Sequence, residues 1–168
     1  MIMSSSRVDF SPTHDVQQVC LNGHVTNNCS SDASRNQNFC EICGAKTITT
    51  CQHCKGAIRG GHKYSPGPTH PRPDAYCLDC GRRFPWTESQ LAAVRAIAEE
   101  SEDLDAEDRE RLDAILPDLI AKTETPQTQL AIIKFKKLVK KGGSAFAEAL
   151  RKTLVDVFSE SVKKILFP

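Results

Sequence analysis

Three Cys-x-x-Cys pairs and one Cys-x-x-x-His pair restrict what this chain can fold into more than any other feature. Two cysteines at this spacing can sit on one tight turn and direct both sulfur atoms at one metal ion. A glycine close behind each Cys-x-x-Cys pair lets the backbone turn back towards the sulfurs. Because a tetrahedral site needs two such pairs, the sequence predicts two zinc ions, and the predicted ligands are Cys20, His24, Cys40, Cys43, Cys51, Cys54, Cys77 and Cys80.

The first predicted site combines Cys20 and His24 with Cys40 and Cys43. The three-residue gap suits histidine, because its longer ring reaches the metal from one position further along the chain. Cys29 is the alternative fourth ligand, but it lies in a Ser- and Asn-rich loop with no second ligand beside it. We therefore expect His24 to bind the metal and Cys29 to be a free thiol.

The other two pairs predict a second site made of four cysteines. Seven residues separate Cys43 from Cys51, which is short for a hairpin that must bring two turns onto one ion. The 22 residues between Cys54 and Cys77 leave ample room. Pairing in chain order therefore joins Cys51 and Cys54 to Cys77 and Cys80, and interleaved pairing is the alternative.

The composition favours reduced cysteines. Eight cysteines among 168 residues would suggest disulfides in a secreted protein, but six of them fall in Cys-x-x-Cys pairs, which are too short to favour a bridge within the pair. Residues 1–18 contain no apolar run of the signal-peptide kind, and no uncharged run reaches the ~18 apolar residues of a membrane span. We expect a cytoplasmic protein with metal-bound thiolates.

The predicted fold class is α+β, with three parts. Residues 1–15 are polar without a clear period and are expected to form a flexible tail. Residues 16–86 are expected to form tandem zinc ribbons, which are small metal-bearing β-hairpins, with a β-branched strand at residues 47–50 between the two sites. Residues 87–168 are expected to be helical, because apolar residues recur there at helical spacing.

Start signals predict where the helices of this last part begin. Thr87 is expected to cap the first helix, with Gln90 completing a capping box. Asp105 is expected to cap the second helix, and Thr125 followed by Pro126 to begin the third.

The charge is distributed in blocks. Residues 87–125 carry four basic and twelve acidic side chains, whereas residues 126–168 carry nine basic and three acidic ones. Five lysines cluster near the end of the third predicted helix, which is more than a favourable interaction with the helix dipole explains. We expect them to contact an external anionic partner, and neutralisation by the acidic block is the alternative. These lysines are Lys134, Lys136, Lys137, Lys140 and Lys141.

The motifs indicate binding rather than catalysis. A catalytic zinc keeps an open position, whereas eight ligands fill two sites. The sequence has no His-Glu-x-x-His motif, no glycine-rich phosphate loop and no Ser/His/Asp signature. We expect a non-enzymatic zinc-binding module that mediates macromolecular interaction, with protein favoured over nucleic acid because residues 16–86 are only mildly basic and lack clustered aromatic side chains.

Two other functions stay open as alternatives. A nucleic-acid-binding zinc-ribbon protein would use the Gly- and Pro-rich loop at residues 56–74, which carries basic residues and a tyrosine. A membrane or assembly protein would act through an amphipathic C-terminal helix at residues 144–167, which places apolar residues opposite basic ones.

Several stretches together resemble a known group of proteins. The sequences Gln18–His24, Phe39–Thr47 and Tyr76–Thr87 resemble a family of bacterial double-zinc-ribbon proteins of unknown function, and the resemblance continues into Phe135–Leu138 and Leu154–Val157. It therefore covers most of the chain. It implies two zinc ribbons and a helical tail, and it implies no reaction, substrate or partner.

Overall fold

The structure, a computed structural model, describes residues 13–62, 72–120 and 125–154. The chain divides into two compact units, Met1–Arg82 and Arg83–Pro168. The expected mixture of small antiparallel sheets followed by helices is confirmed. The elements are β1 (His14–Val16), β2 (Gln18–Cys20), β3 (Val25–Asn27), a turn of 3-10 helix (Ala33–Arg35), β4 (Thr47–Ile48), β5 (Arg59–His62), α1 (Pro85–Glu99), α2 (Ala106–Ile120), α3 (Pro126–Lys141) and α4 (Gly143–Leu154).

A three-stranded sheet brings the first two ligand pairs together. Its strand order is β3-β2-β4, and both pairings are antiparallel. In this register Val19 lies opposite Ile48, and Cys20 lies opposite Thr47. Because Cys20 ends β2 and β4 follows the Cys40–Cys43 turn, the sheet sets these cysteines side by side.

A second sheet, formed by β1 and β5, depends on a close approach between backbones. Gln17 donates its N–H to the carbonyl of Ile58 at 2.8 Å. A Cβ atom added at Gly60 would lie 2.3 Å from the carbonyl oxygen of Asn28 and 2.8 Å from the nitrogen of Gln17. These neighbours are backbone atoms that cannot rotate away, so only glycine fits in β5 at this position.

The interior of the first unit is partly polar. Gln17 is fully buried, and its side-chain amide donates to Asn28 Oδ1 at 2.6 Å. The carboxylate of Asp15 accepts the N–H of Val16 at 2.6 Å and both the N–H and the hydroxyl of Ser31. These bonds satisfy buried polar atoms, but they contribute less than the burial of apolar side chains would.

The four helices of the second unit enclose an aliphatic core. Helix α2 packs on α3, α1 packs on α4, and the contacts of α3 with α4 and of α1 with α2 complete the arrangement. Side chains from all four helices are buried between them, including Leu91, Val94, Leu112, Leu116, Leu119, Phe135, Leu138, Phe146 and Leu150.

Helix α1 begins earlier than predicted. Its first residue is Pro85 and its N-cap is Phe84, which forms no side-chain cap hydrogen bond. Thr87 is buried within the first turn, so the predicted cap at Thr87 with a box at Gln90 is wrong. The start is set by the restricted φ of proline and by stacking of Phe84 on Trp86, whose ring centroids lie 4.6 Å apart.

The other two predicted helix starts are present. Before α2, Asp105 Oδ1 accepts the N–H of Asp108 at 2.9 Å. Before α3, Thr125 and Thr128 form a reciprocal capping box, and Pro126 occupies the first turn. Both caps satisfy N–H groups that have no partner within the helix.

Some predictions fall outside the described residues. These are residues 1–12 of the predicted tail, residues 63–71 of the basic loop and residues 155–167 of the predicted amphipathic helix. Within the tail, His14 and Asp15 belong to β1 rather than to an unstructured segment. No helix within the described ranges combines the length and the apolar character needed to cross a membrane.

Candidate metal centres

The eight predicted ligands lie in two groups of four. Within each group the candidate ligand atoms all lie within 4.8 Å of one another, so each group could hold a metal ion. The pairs come together in chain order rather than interleaved, and Cys29 belongs to neither group. The first group is Cys20, His24, Cys40 and Cys43, and the second is Cys51, Cys54, Cys77 and Cys80.

The three Cys-x-x-Cys turns share one backbone geometry. In each turn, the N–H of the first cysteine donates to the carbonyl five residues later, and the N–H four residues later donates back to that cysteine, at 2.8 to 3.0 Å. The residue after the second cysteine has a positive φ, which is 69° at Gly44, 64° at Lys55 and 69° at Gly81. In the middle turn the left-handed position is therefore a lysine, and the glycine comes one residue later.

The fourth turn, between Cys20 and His24, is built differently. The N–H of Gly23 donates to the Cys20 carbonyl at 2.9 Å, and the N–H of His24 donates to Cys20 Sγ at 3.3 Å. The His24 ring directs Nδ1 at three sulfurs, lying 3.5 Å from Cys20, 3.6 Å from Cys40 and 3.3 Å from Cys43. His24 thus stands where the sequence placed the fourth ligand of the first group.

The second group joins its two turns through sulfur contacts. Cys51 Sγ lies 3.9 Å from Cys80 Sγ, and Cys54 Sγ lies 3.6 Å from Cys77 Sγ. Cys51 and Cys77 are buried, whereas Cys54 and Cys80 are exposed. Each turn therefore contributes one inner and one outer thiol.

Hydrogen bonds and burial separate the pKa values of the thiols in the first group. The N–H of Ala45 is the main reason that the pKa of Cys43 falls to about 6, and the side-chain amide of Asn22, 3.4 Å from the sulfur, lowers it further. Burial instead raises the pKa of Cys20. One thiol of this group is therefore set up to ionise more readily than another.

The pKa values of the thiols in the second group are separated as well. Against the effect of burial, the N–H groups of Cys54 and His53 lower the pKa of Cys51 to about 7. The N–H of Gly56 acts to lower the pKa of Cys54. Burial and the thiols of Cys77, Cys80 and Cys51 outweigh this effect and raise the pKa of Cys54 to about 12. Neighbouring thiolates oppose one another's ionisation, and a divalent cation would remove this opposition.

The lysine cluster of α3 is divided in the structure. Lys141 Nζ donates to Asp105 at 2.9 Å and also to the buried carboxylate of Asp108, and these bonds raise its pKa. The expectation that the whole cluster faces an external partner is therefore wrong for Lys141, which the acidic block neutralises. The remaining lysines, Lys134, Lys136, Lys137 and Lys140, are exposed.

Periodicity alone did not identify five exposed apolar side chains. Leu130 and Ile133 recur along the third helix at the same kind of spacing as Phe135 and Leu138, yet they are 46% and 54% exposed. On the first unit, Phe39, Ile42 and Leu78 are exposed within or beside the Cys-x-x-Cys turns. The positions of these three residues next to candidate ligand cysteines could have indicated that their side chains are exposed, because the cysteine sulfurs fix both ends of such a turn.

These features define a two-unit protein, with two groups of candidate metal ligands in the first unit and four helices in the second. A family model described as "Uncharacterized protein conserved in bacteria (DUF2321)" matches residues 13–166, and the chain belongs to this family. No curated protein and no solved structure matches the chain.

Proposed function

We propose that this chain is a non-enzymatic binding module, in which tandem zinc ribbons carry two structural zinc ions and the protein contacts another protein. The observation that carries the proposal is the grouping of eight cysteine and histidine ligand atoms into two compact sets of four. Sets of four cysteines, and of three cysteines with one histidine, are typical of structural zinc.

The distances between ligand atoms support zinc. With Zn–S bonds of about 2.3 Å, two sulfurs of a tetrahedral site lie about 3.8 Å apart. The sulfur pairs of the second group lie 3.6 and 3.9 Å apart. With a Zn–N bond of about 2.0 Å, the corresponding nitrogen–sulfur distance is about 3.5 Å, and His24 Nδ1 lies 3.3 to 3.6 Å from its three sulfurs.

The number of ligands argues against a catalytic metal. A catalytic zinc has three protein ligands and leaves its fourth position to water or substrate. Each group here supplies four ligand atoms, so the protein itself would complete a tetrahedral shell. When bound, the metal would supply folding free energy and no reactive position.

Exposed apolar side chains favour a protein as the partner. Phe39, Ile42 and Leu78 are 64%, 68% and 65% exposed, although the first unit has few apolar residues to bury. Large apolar side chains form the buried core of contacts between proteins, in which aromatic residues such as phenylalanine are enriched. Binding to nucleic acid or to a membrane surface would be the alternative outcomes of a test.

The metal part of the proposal is tested by elemental analysis under reducing, non-chelating conditions. We expect two zinc ions per chain, and we expect His24→Ala and Cys51→Ser each to lose or weaken one site. Cys29→Ser is the matched control and should keep both ions. Zinc loss in Cys29→Ser with retention in His24→Ala would exchange the two ligand assignments, and a chain without zinc would reject the proposal.

The binding part is tested by capture from bacterial lysate with and without nuclease. We expect nuclease-resistant protein capture that falls when Phe39 and Ile42 are both changed to Ser, while the zinc content is unchanged. Capture that disappears with nuclease would favour the nucleic-acid alternative. Capture that is unchanged in the double variant would exclude this surface.

A further inference from the structure

Helix α3 presents two different faces. Its buried stripe consists of Thr128, Ala131, Ile132, Phe135 and Leu138. A shift of two residues rotates a helix position by about 200°, to the opposite side. The residues two positions after the buried ones are Leu130, Ile133, Lys134, Lys137 and Lys140, which we call the exposed stripe, and all five are exposed.

The lysines of the exposed stripe differ from Lys141. Lys141 is held by Asp105 and Asp108, so it fastens the end of α3 to the start of α2. Among the residues that the structure describes, no carboxylate lies within ion-pair distance of the three stripe lysines. Within this part of the chain the stripe lysines form no ion pair, whereas Lys141 forms two.

The arrangement of this stripe indicates the chemistry of its partner. Leu130 and Ile133 lie on the first half of the helix and the lysines on the second half, so that apolar and charged parts follow one another over about 15 Å between Leu130 and Lys140. A partner that lies along the helix with apolar side chains followed by carboxylates would match both parts. An acidic amphipathic helix lying along α3 can supply both, with its apolar face on Leu130 and Ile133 and the carboxylates that flank this face beside the lysines.

Other anionic partners match less well. Helix α3 contains no arginine, and its single aromatic residue, Phe135, is buried, so the stripe has no side chain for bidentate phosphate binding or base stacking. Two aliphatic side chains at one end form a small area for insertion into a bilayer, which binds helices through a broad apolar face.

We propose that the exposed stripe of α3 is a docking surface for an acidic amphipathic helix of a partner protein. The proposal deepens the proposed function, since it rests on the chain being a protein-binding module and places a contact on the helical unit. Leu130 and Ile133 would pack against the apolar face of the partner helix. Lys134, Lys137 and Lys140 would pair with its carboxylates.

The test uses the zinc-loaded full chain and fluorescence anisotropy with a defined probe. The probe is a synthetic helical peptide of about four turns, with leucine on one face and glutamate on the other positions. A peptide with lysine in place of glutamate is its control. We expect the glutamate peptide to bind with a salt-dependent affinity and the lysine peptide not to bind.

Variants locate the binding surface. Changing Leu130 and Ile133 to Gln should weaken binding roughly tenfold or more, because two aliphatic contacts are lost. Changing Lys134 and Lys137 to Gln should weaken binding and flatten its salt dependence. Lys152→Gln on α4, where the lysine pairs with Glu148 at 2.8 Å, changes charge outside the stripe and should leave binding unchanged.

Several outcomes would overturn the proposal. The first is that the glutamate peptide does not bind. The second is that the stripe variants keep native helical circular dichroism and bind the peptide as tightly as the unchanged chain does. The third is that the chain binds phosphatidylglycerol vesicles or single-stranded RNA more tightly than the peptide, and that the stripe variants abolish this binding. The proposed function fails separately. If capture depends on Phe39 and Ile42 but not on the stripe, this inference is wrong and the proposed function stands. If a chain without zinc still binds the peptide through the stripe, the proposed function is wrong and this inference stands.

Discussion

The two units bury different kinds of side chain. Among the described residues of the first unit, the buried apolar side chains are only Val19 and Ile58, and the other buried non-polar groups are four ligand cysteines. The second unit buries a continuous aliphatic and aromatic set contributed by all four helices. Because small domains with little apolar burial need another source of stability, the comparison predicts that the first unit depends on a bound metal and that the second does not.

Metal removal is the strongest test of this difference between the two units. A structural zinc site contributes on the order of 10 kcal/mol to folding, which is more than two buried aliphatic side chains can replace. We expect chelation under reducing conditions to abolish the amide dispersion of residues 13–62 and 72–82 in NMR spectra, while helical circular dichroism largely survives. A complete loss of helix would contradict the comparison, since it would show one cooperative unit.

A core truncation in the second unit should give the converse result. Leu116 is fully buried, so Leu116→Ala should cost about 2–5 kcal/mol of unfolding free energy through lost burial and a cavity. Leu130→Ala removes the same atoms from an exposed position and should cost less than about 1 kcal/mol. Denaturant unfolding followed by helical circular dichroism measures both. Equal costs, or loss of zinc in the Leu116 variant, would contradict the division between the units.

Sequence reasoning succeeded where the decisive interactions are local. Cysteine spacing grouped the candidate ligands in the combination that the structure brings together, because a tight turn and a four-ligand shell leave few combinations. The start of α3 was predicted for the same reason, since Thr125, Pro126 and Thr128 form it within one turn.

Sequence reasoning failed where the packing of apolar side chains is decisive. The start of α1 depends on stacking of Phe84 on Trp86 rather than on a polar cap. Helix α3 has apolar residues on both sides, and its packing against α2 and α4 decides that Phe135 is buried while Leu130 and Ile133 are exposed. Periodicity describes a face, but it does not say which of two faces meets the core.

Lys141 allows a smaller test within the second unit. Its ammonium group is the main reason that the pKa of Asp105 falls to about 2, below the unfolded value of about 3.9. A depressed carboxylate pKa contributes stability above the unfolded pKa, and that stability is lost as the pH falls from about 4 to about 2. The raised pKa of Lys141 contributes stability that is lost only as the pH rises through the folded value.

We therefore expect Lys141→Met to lower the thermal midpoint of the helical unit at neutral pH and to reduce its loss of stability between pH 4 and pH 2. Lys140→Met is the matched control, because Lys140 is exposed at the same helix end and should change neither quantity. The readout is helical circular dichroism, because acid would also protonate the candidate metal ligands of the first unit. Identical acid profiles for the two variants would contradict the role given to Lys141.

The smallest expected effect lies in the turns of the first unit. Lys55, Gly44 and Gly81 occupy the same left-handed position of three equivalent turns, and a residue with a Cβ costs about 1–2 kcal/mol there. A Cβ at Gly44 would have no atom within 4 Å, so Gly44→Ala measures backbone strain alone. At Gly56, by contrast, a Cβ would meet the carboxylate of Asp79, so this side chain would have to rotate away. We expect Lys55→Gly to raise the midpoint of chelator-induced unfolding and Gly44→Ala to lower it by a similar free energy. A destabilising Lys55→Gly would show that the lysine side chain contributes more than its backbone strain costs.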